Sequence, residues 1–426
     1  MNSSWPFAPA TLAQKLVARA AGRTQVKPGE IVTCKVDLAM FHDSGGPRRL
    51  QPMLAELGAQ IWDKDKVVLV IDHYVPEADD ESRRIVRIAR DFAAAQRLPH
   101  VYDSQGICHV VVPQHGHIRP GMFCVGGDSH SPTGGAFGAF MFGIGATEML
   151  GVVVRGEIWL KVPHTIFMDW DGHLAEGVAA KDMVLHMLGT QGMNGGQYGA
   201  LEFCGEAVQA LSMAERMTLC NMSAEMGAQA GLIAPDATTA DWLIAHGAAE
   251  FETDPWHSDT GAAGTRHRFD ASTLAPQVAR PHSPAKVCAV DALPHTPINI
   301  AYLGACTGAK LDDLDAAARV LAGRHIAPGV QLLVAPASLR EAASAKGQIV
   351  LGQLVEAGAT VLPSSCGACA GYGSQIAKGA TVISSTARNF KGRMGADSAQ
   401  VYLGSPYTVA ASALRGAISD ARELLS

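Results

Sequence analysis

Three cysteines are the residues in this 426-residue chain whose type and spacing offer chemistry most directly. Cys306 stands in Gly304-Ala305-Cys306-Thr307-Gly308, and Cys366-Gly367-Ala368-Cys369 follows sixty positions later. A Cys-x-x-Cys pair with one remote cysteine can bring three thiolates to one point, one ligand short of a closed tetrahedral metal site. A metal held that way keeps a position free to react. The same pair is equally a redox dithiol or half of a zinc knuckle. The other six of the nine cysteines, Cys34, Cys124 and Cys288 among them, lie mostly among apolar residues and read as buried structural thiols.

Histidines paired with acids come next. Asp72-His73 and Asp128-Ser129-His130 place an imidazole beside a carboxylate or hydroxyl, the arrangement of an acid-base pair or merely of a cap beside a packed ring. His109, in Ile107-Cys108-His109-Val110, reads as a core histidine by its neighbours alone. His42-Asp43 opens a glycine-rich loop that faces a ligand or starts a capped helix. Asn221 and Glu225, four apart, are predicted on one face of a helix. Arg388 and Arg393, in Arg-Asn-Phe-Lys-Gly-Arg, are either solvated or ready to bind a substrate bearing two carboxylates.

The elements that must position these groups follow a repeated pattern. Val67–Ile71 leads into Asp72-His73, Met122–Val125 into the Asp128 loop, and Ile298–Leu303 into Cys306. Ala359–Leu362 leads into the Cys366/Cys369 loop, and Thr381–Ser384 into Arg388. Each is a short apolar run of the kind that forms a buried parallel strand, and open α/β sheets bind ligands beyond the carboxyl ends of such strands. The apolar stripe Leu311, Leu314, Ala318 and Leu321, ended by Gly323, predicts a helix just after Cys306, whose dipole favours a thiolate in the preceding loop. Thr11 is predicted to cap a first helix. The run GGAFGAFMFGIG at 134–145 implies close packing of a helix on a sheet, and lacks the third glycine of a dinucleotide fingerprint. Likewise Gly304 to Lys310 misses the phosphate-loop pattern.

Length and composition agree with an α/β protein of more than one core: 48% hydrophobic, 17% charged and 45 glycines. The net charge of −6 gives no basic footprint for nucleic acid. No run of apolar residues is long enough for a membrane span and the first residues do not form a secretory leader, so a soluble, cytoplasmic protein is expected. The expected division is 1–163, 164–285 and 286–426, three α/β subdomains with parallel or mixed sheets, the stretch from about Glu252 to Pro297 bridging the last two.

Taken in chain order, Gly126-Gly127-Asp128-Ser129-His130-Ser131-Pro132-Thr133-Gly134-Gly135, Cys220-Asn221-Met222-Ser223-Ala224-Glu225-Met226-Gly227, Gly304-Ala305-Cys306-Thr307, Cys366-Gly367-Ala368-Cys369 and Arg388-Asn389-Phe390-Lys391-Gly392-Arg393 resemble the aconitase family, in particular large subunits of the 3-isopropylmalate dehydratase type. The resemblance implies an aconitase-like core without the swivel domain, and a 4Fe-4S cluster held by Cys306, Cys366 and Cys369 with one iron left open. It implies that His73, paired with Asp72, acts as an acid, and that His109, Asp128, His130 and Glu225 surround the reacting oxygen. Ser129 and Asn221 would add hydrogen bonds, Arg388 and Arg393 would bind carboxylate or order the cluster pocket, and His42 and Asp43 would line a substrate loop. The family's catalytic serine has no counterpart after Arg393, so a separate small swivel-domain subunit is implied. The expected reaction is dehydration, hydration or isomerisation of a malate-like hydroxy diacid: isopropylmalate, methylmalate, dimethylmalate, maleate or homoaconitate. Two departures from the family pattern leave the diacid open. Gly308-Ala309 replace Asn-Ser after the first ligand, and Gly134 stands where many isopropylmalate enzymes have a histidine. The residues alone also leave open a zinc or dithiol protein, and a non-catalytic cluster-binding regulator.

Overall fold

A computed structural model describes residues 8–372 and 376–425. Three larger sheets and one two-stranded ribbon organise the described residues. The first sheet has five parallel strands in the spatial order His100–Asp103, Val67–Ile71, Leu38–His42, Phe123–Gly126, Phe140–Gly143. Chain order reverses between Leu38–His42 and Phe123–Gly126. That is a topological switch point, where loops diverge to opposite faces and leave a crevice at the carboxyl edge. The strand Val67–Ile71 is buried on both faces because its alternate side chains feed two cores. Val67, Leu69 and Ile71 pack towards the helices Leu12–Ala20 and Asp80–Gln96, and Val68 and Val70 towards the rest of the molecule. Thr11 caps the first helix in a reciprocal box with Gln14.

The second sheet, of four strands, has the parallel pair Thr165–Asp171 and Ala200–Cys204 at its centre, flanked by Ala230–Leu232 and Thr265–Asp270. The third has seven, and its parallel part runs Gln400–Leu403, Thr381–Ser384, Ile300–Leu303, Gln331–Val334, Ala359–Val361. It too reverses chain order at its centre, between Ile300–Leu303 and Thr381–Ser384, the strands that precede Cys306 and Arg388. Helix Leu311–Leu321 comes directly after the Cys306 loop and buries Leu314, Ala318 and Leu321.

Three local expectations change. The stretch from Glu252 to Pro297 is more than a bridge. It supplies the edge strand Thr265–Asp270 and the antiparallel pair Gln277–Ala279 and Val287–Ala289 at the rim of the third sheet. The edge strand is only half covered, so its Thr-Arg-His-Arg-Phe-Asp sequence carries little apolar signal. Asn221 and Glu225 do not share a continuous helix: the α-helix Met213–Met222 ends between them, and Glu225 lies in the tighter turn Ser223–Met226. The 134–145 run forms a 3-10 helix, Ser131–Phe137, and then a strand, with backbone packing on backbone. A Cβ on Gly135 would lie 1.7 Å from the Gly231 carbonyl oxygen, so only glycine fits there. No described helix is long and apolar enough to cross a membrane.

Candidate active site

The two switch points face each other, and the predicted groups meet between them. From the first sheet, Asp72 comes directly after Val67–Ile71 and accepts the His73 ring through Oδ1, 2.7 Å from Nδ1. Its other oxygen accepts the Cys108 backbone N–H at 2.7 Å, which fixes the carboxylate and hence the ring. Burial alone would lower the His73 imidazole. The charge and hydrogen bond of Asp72 outweigh it and, with Asp43 and Asp128, lift it to about 9. The Asp72 carboxyl is in turn held below its usual range, since the charge of His73 overcomes burial. Asp43 supports the pair from below, its carboxylate accepting the N–H groups of His73 (3.1 Å) and Tyr74 (2.9 Å); burial, then Asp72, raises its pKa. The His42 ring stacks on His73, centroids 4.0 Å apart. Burial, then the charge of His73, pushes it down to about 4, so it is a neutral ring against a charged one.

Asp128 is the hub between this dyad and the other histidines. Its Oδ1 accepts His109 Nε2 at 2.8 Å and the backbone N–H of His130 at 2.7 Å, and its Oδ2 lies 3.9 Å from His73 Nε2. Burial would raise it, but hydrogen bonding to His109 and the charges around it hold it well below the carboxylate range. His130 Nε2 meets Glu225 Oε1 at 2.9 Å, and the same oxygen accepts Arg388 Nε at 2.6 Å. His130 is raised despite burial by its bonds to Asp128 and Glu225, and Glu225 is lowered despite burial, first by His130. The Arg388 side chain makes no other protein hydrogen bond among the described residues, so its terminal nitrogens are free for an anion.

Beneath lie the three thiols. Cys306 and Cys369 are buried and Cys366 partly so. Burial and the neighbouring Cys369 push the Cys306 thiol up to about 12, while its bond to Cys366 and the nearby Arg393 hold Cys369 below the usual thiol range. Asn221 Nδ2 lies 3.1 Å from Cys306 Sγ and 2.8 Å from Thr133 Oγ1. The Cys366 N–H bonds the Asp72 carbonyl at 2.9 Å, tying the third sheet's loop to the His73 dyad. Ser129 is the exception: its side chain is exposed at the loop tip and makes no hydrogen bond among the described residues.

The geometry also brings in residues that spacing did not point to. Lys181 and Lys310 are buried behind Cys306; the one available signal was Lys181 near the start of the largely apolar helix Ala180–Gln191, whereas Lys310 stands just before helix Leu311–Leu321 beside two aspartates and carries none. Ser385 explains Gly308: its Oγ lies 3.1 Å from the Gly308 carbonyl oxygen, and a Cβ on Gly308 would come within 2.2 Å of the Ser385 side chain. The Ser385 hydroxyl also meets the backbone N–H of Gly304 at 3.0 Å, tying the loop around Cys306 to the neighbouring loop. Gly134 faces Met141, whose sulfur would be 2.6 Å from a Cβ there, so this position lies in the core.

Comparison with known proteins settles the lineage. The model of the aconitase family (aconitate hydratase) matches residues 14–296 and 291–416. The chain belongs to the aconitase family. Among its relatives, the 3-isopropylmalate dehydratase large subunit 1 of Methanopyrus kandleri is 41% identical over 419 residues, 97% of this chain and 99% of the relative. A probable methanogen homoaconitase large subunit from Methanothermobacter thermautotrophicus is 39% identical, covering 96% of both chains. The 3-isopropylmalate dehydratase large subunit of Desulfatibacillum aliphaticivorans is 38% identical, covering 96% of this chain and 98% of its own. The chain is accordingly a hydro-lyase of the aconitase family with the mixed α/β core expected of it.

Proposed function

We propose that this chain is the large subunit of a two-chain, cytoplasmic iron-sulfur hydro-lyase acting on a small malate-like hydroxy diacid, with 3-isopropylmalate first and homoaconitate second on the names of its relatives. The observation that carries the reading is the meeting of three largely buried thiols with a charged Asp72–His73 dyad and an arginine whose terminal nitrogens are free.

The donor set fits a 4Fe-4S cluster. Besides three thiols it offers Arg393, whose Nε is buried without a partner among the described residues and so awaits an acceptor. Bound by Cys306, Cys366 and Cys369, such a cluster supplies a Lewis-acidic iron that polarises a hydroxyl group. The chain's own residues do the rest. His73 holds a proton on Nε2 while Asp72 fixes Nδ1, so the ring donates towards a departing hydroxide. Asp128 orients His109 and His130 around the same space, and Glu225 fixes His130 and Arg388 together. Arg388 binds carboxylate, Arg393 orders the cluster pocket beside Cys369, and Asn221 donates to the Cys306 sulfur. The base that removes the carbon-bound proton comes from a serine of the small subunit. The sheets support a division at 163, since their strands lie at 31–161, 165–270 and 277–403, but the third sheet takes in Gln277–Ala279, so the second division lies between 270 and 277 rather than at 285.

Anaerobic reconstitution with iron and sulfide, read by visible and EPR spectra, tests this. Wild type should gain a cluster that Cys306→Ser loses. No cluster in wild type, or one indifferent to Cys306, would overturn the reading in favour of a zinc or dithiol protein. Mixed with its small subunit, the loaded chain should dehydrate a hydroxy diacid, and full activity without a partner would refute the two-chain arrangement.

A further inference from the structure

Two lysines lie behind the thiols, Lys181 at 1% and Lys310 at 2% exposure, and their charges are handled differently. Lys310 Nζ has an anionic partner, Asp313 Oδ2 at 2.6 Å, as well as the Cys306 carbonyl oxygen at 2.9 Å. Lys181 Nζ has only neutral acceptors: the carbonyl oxygens of Thr386 (2.7 Å) and Ser385 (3.2 Å) and Thr307 Oγ1 (3.3 Å). No carboxylate lies within ion-pair distance of it among the described residues. Asp182, its neighbour in sequence, is turned away to accept the N–H groups of Ala179 (2.9 Å) and Gln277 (2.8 Å).

A buried ammonium without an anion is costly, and a methionine of similar length would avoid the cost. Burial lowers the Lys181 ammonium to about 7, so without a negative group nearby it readily gives up its proton, and an anion close to it would keep it charged. After burial, the groups that act most strongly on Lys181 are Cys306 and Cys369. Its acceptors are placed accordingly: Thr307 is the residue next after Cys306, and Ser385 and Thr386 begin the loop that carries Arg388 and Arg393. One ammonium group thus joins the two loops from the centre of the third sheet just where three thiolates would gather negative charge.

We propose that Lys181 is the buried counter-charge of the three-thiolate pocket, a positioning residue that retains the anionic cluster and raises its reduction potential. The proposal rests on the iron-sulfur reading above. A fixed positive charge favours the more negative, reduced state of a cluster, and charge and hydrogen bonding around the sulfurs are the means by which proteins set such potentials.

The test compares wild type with Lys181→Met, Lys181→Gln and Lys181→Arg, first without cluster and then after reconstitution. In the cluster-free chain the methionine variant should melt at the same temperature or higher, since an apolar side chain replaces an unpaired buried charge. In the reconstituted chain both neutral variants should lose iron to a chelator more readily, with apparent affinity reduced by about 10–100-fold, as for other residues that support metal ligands. Their midpoint potentials, from an EPR-monitored redox titration, should be more negative, and the arginine variant should stay near wild type. Equal potentials and iron retention would overturn the assignment. So would a glutamine variant matching wild type, which would make hydrogen bonding sufficient, or neutral variants that fail to fold where the arginine variant folds, which would make the lysine structural. A wild-type chain that builds no cluster would instead defeat the iron-sulfur reading itself.

Discussion

Replacing Asp72 by asparagine probes the dyad without removing its shape. The asparagine side chain would keep one oxygen to accept the Cys108 N–H, now 2.7 Å from Asp72 Oδ2, and would present an NH2 group to His73 Nδ1. That nitrogen would then have to accept rather than donate, so the ring would turn neutral and shift tautomer. His73 is lifted from 6.5 to about 9, which at about 1.4 kcal/mol per pH unit corresponds to about 3 kcal/mol. Because the folded value lies above the unfolded one, this stabilisation is fully present below pH 6.5 and is lost as pH rises through about 9. The depressed Asp72 is the other half of the same interaction and is not counted again. Chemical denaturation of wild type and Asp72→Asn across pH 6 to 9.5 should therefore show a gap of up to about 3 kcal/mol at the acid end that closes towards the alkaline end. Taking the difference between the two proteins cancels the other groups that titrate in this window. In the reconstituted two-chain enzyme the dehydration rate should fall by about 10²–10⁴-fold, the usual worth of a positioned general acid. A gap independent of pH, or an unchanged rate, would refute the reasoning, because either would mean that Asp72 does not hold the proton on His73.

Gly308→Ala should destabilise the chain by about 1–3 kcal/mol through overpacking against Ser385, and the double variant Gly308→Ala/Ser385→Gly should recover most of it in thermal unfolding. If the double variant is no better than the single, the two positions are not exchanging space. Glu225→Gln leaves the buried His130 and the half-buried Arg388 without their shared carboxylate and should cost up to about 3–5 kcal/mol, measured by denaturant unfolding at pH 7. A loss below about 1 kcal/mol, the worth of an exposed pair, would show that the cluster of charges is open to water.

Much of the site was legible because its chemistry is written at strand ends. The runs at Val67–Ile71, Ile300–Leu303 and Thr381–Ser384 are apolar on both faces, so burial alone fixes them as central strands, and the loop after each must emerge at one edge. With the family motifs, that named the thiols, the acid-paired histidines and the arginines by position. Elements that lie at a rim or change type were not legible. Thr265–Asp270 has no apolar face to betray it, and the end of the helix at Met222 separates Asn221 from Glu225 without a glycine or proline to mark the break.

The sequence by itself determined which groups are present and that parallel strands would deliver them to a common edge, since period-two burial and local loop chemistry are short-range properties. Only the tertiary structure decided which groups touch. That Asp128 serves His109, His130 and His73 at once, that Ser385 stands where Gly308 leaves room, and that Lys181 lacks the carboxylate Lys310 has depend on how separate sheets meet. Each of these contacts joins residues distant in sequence through close packing, and no local pattern encodes such a distance.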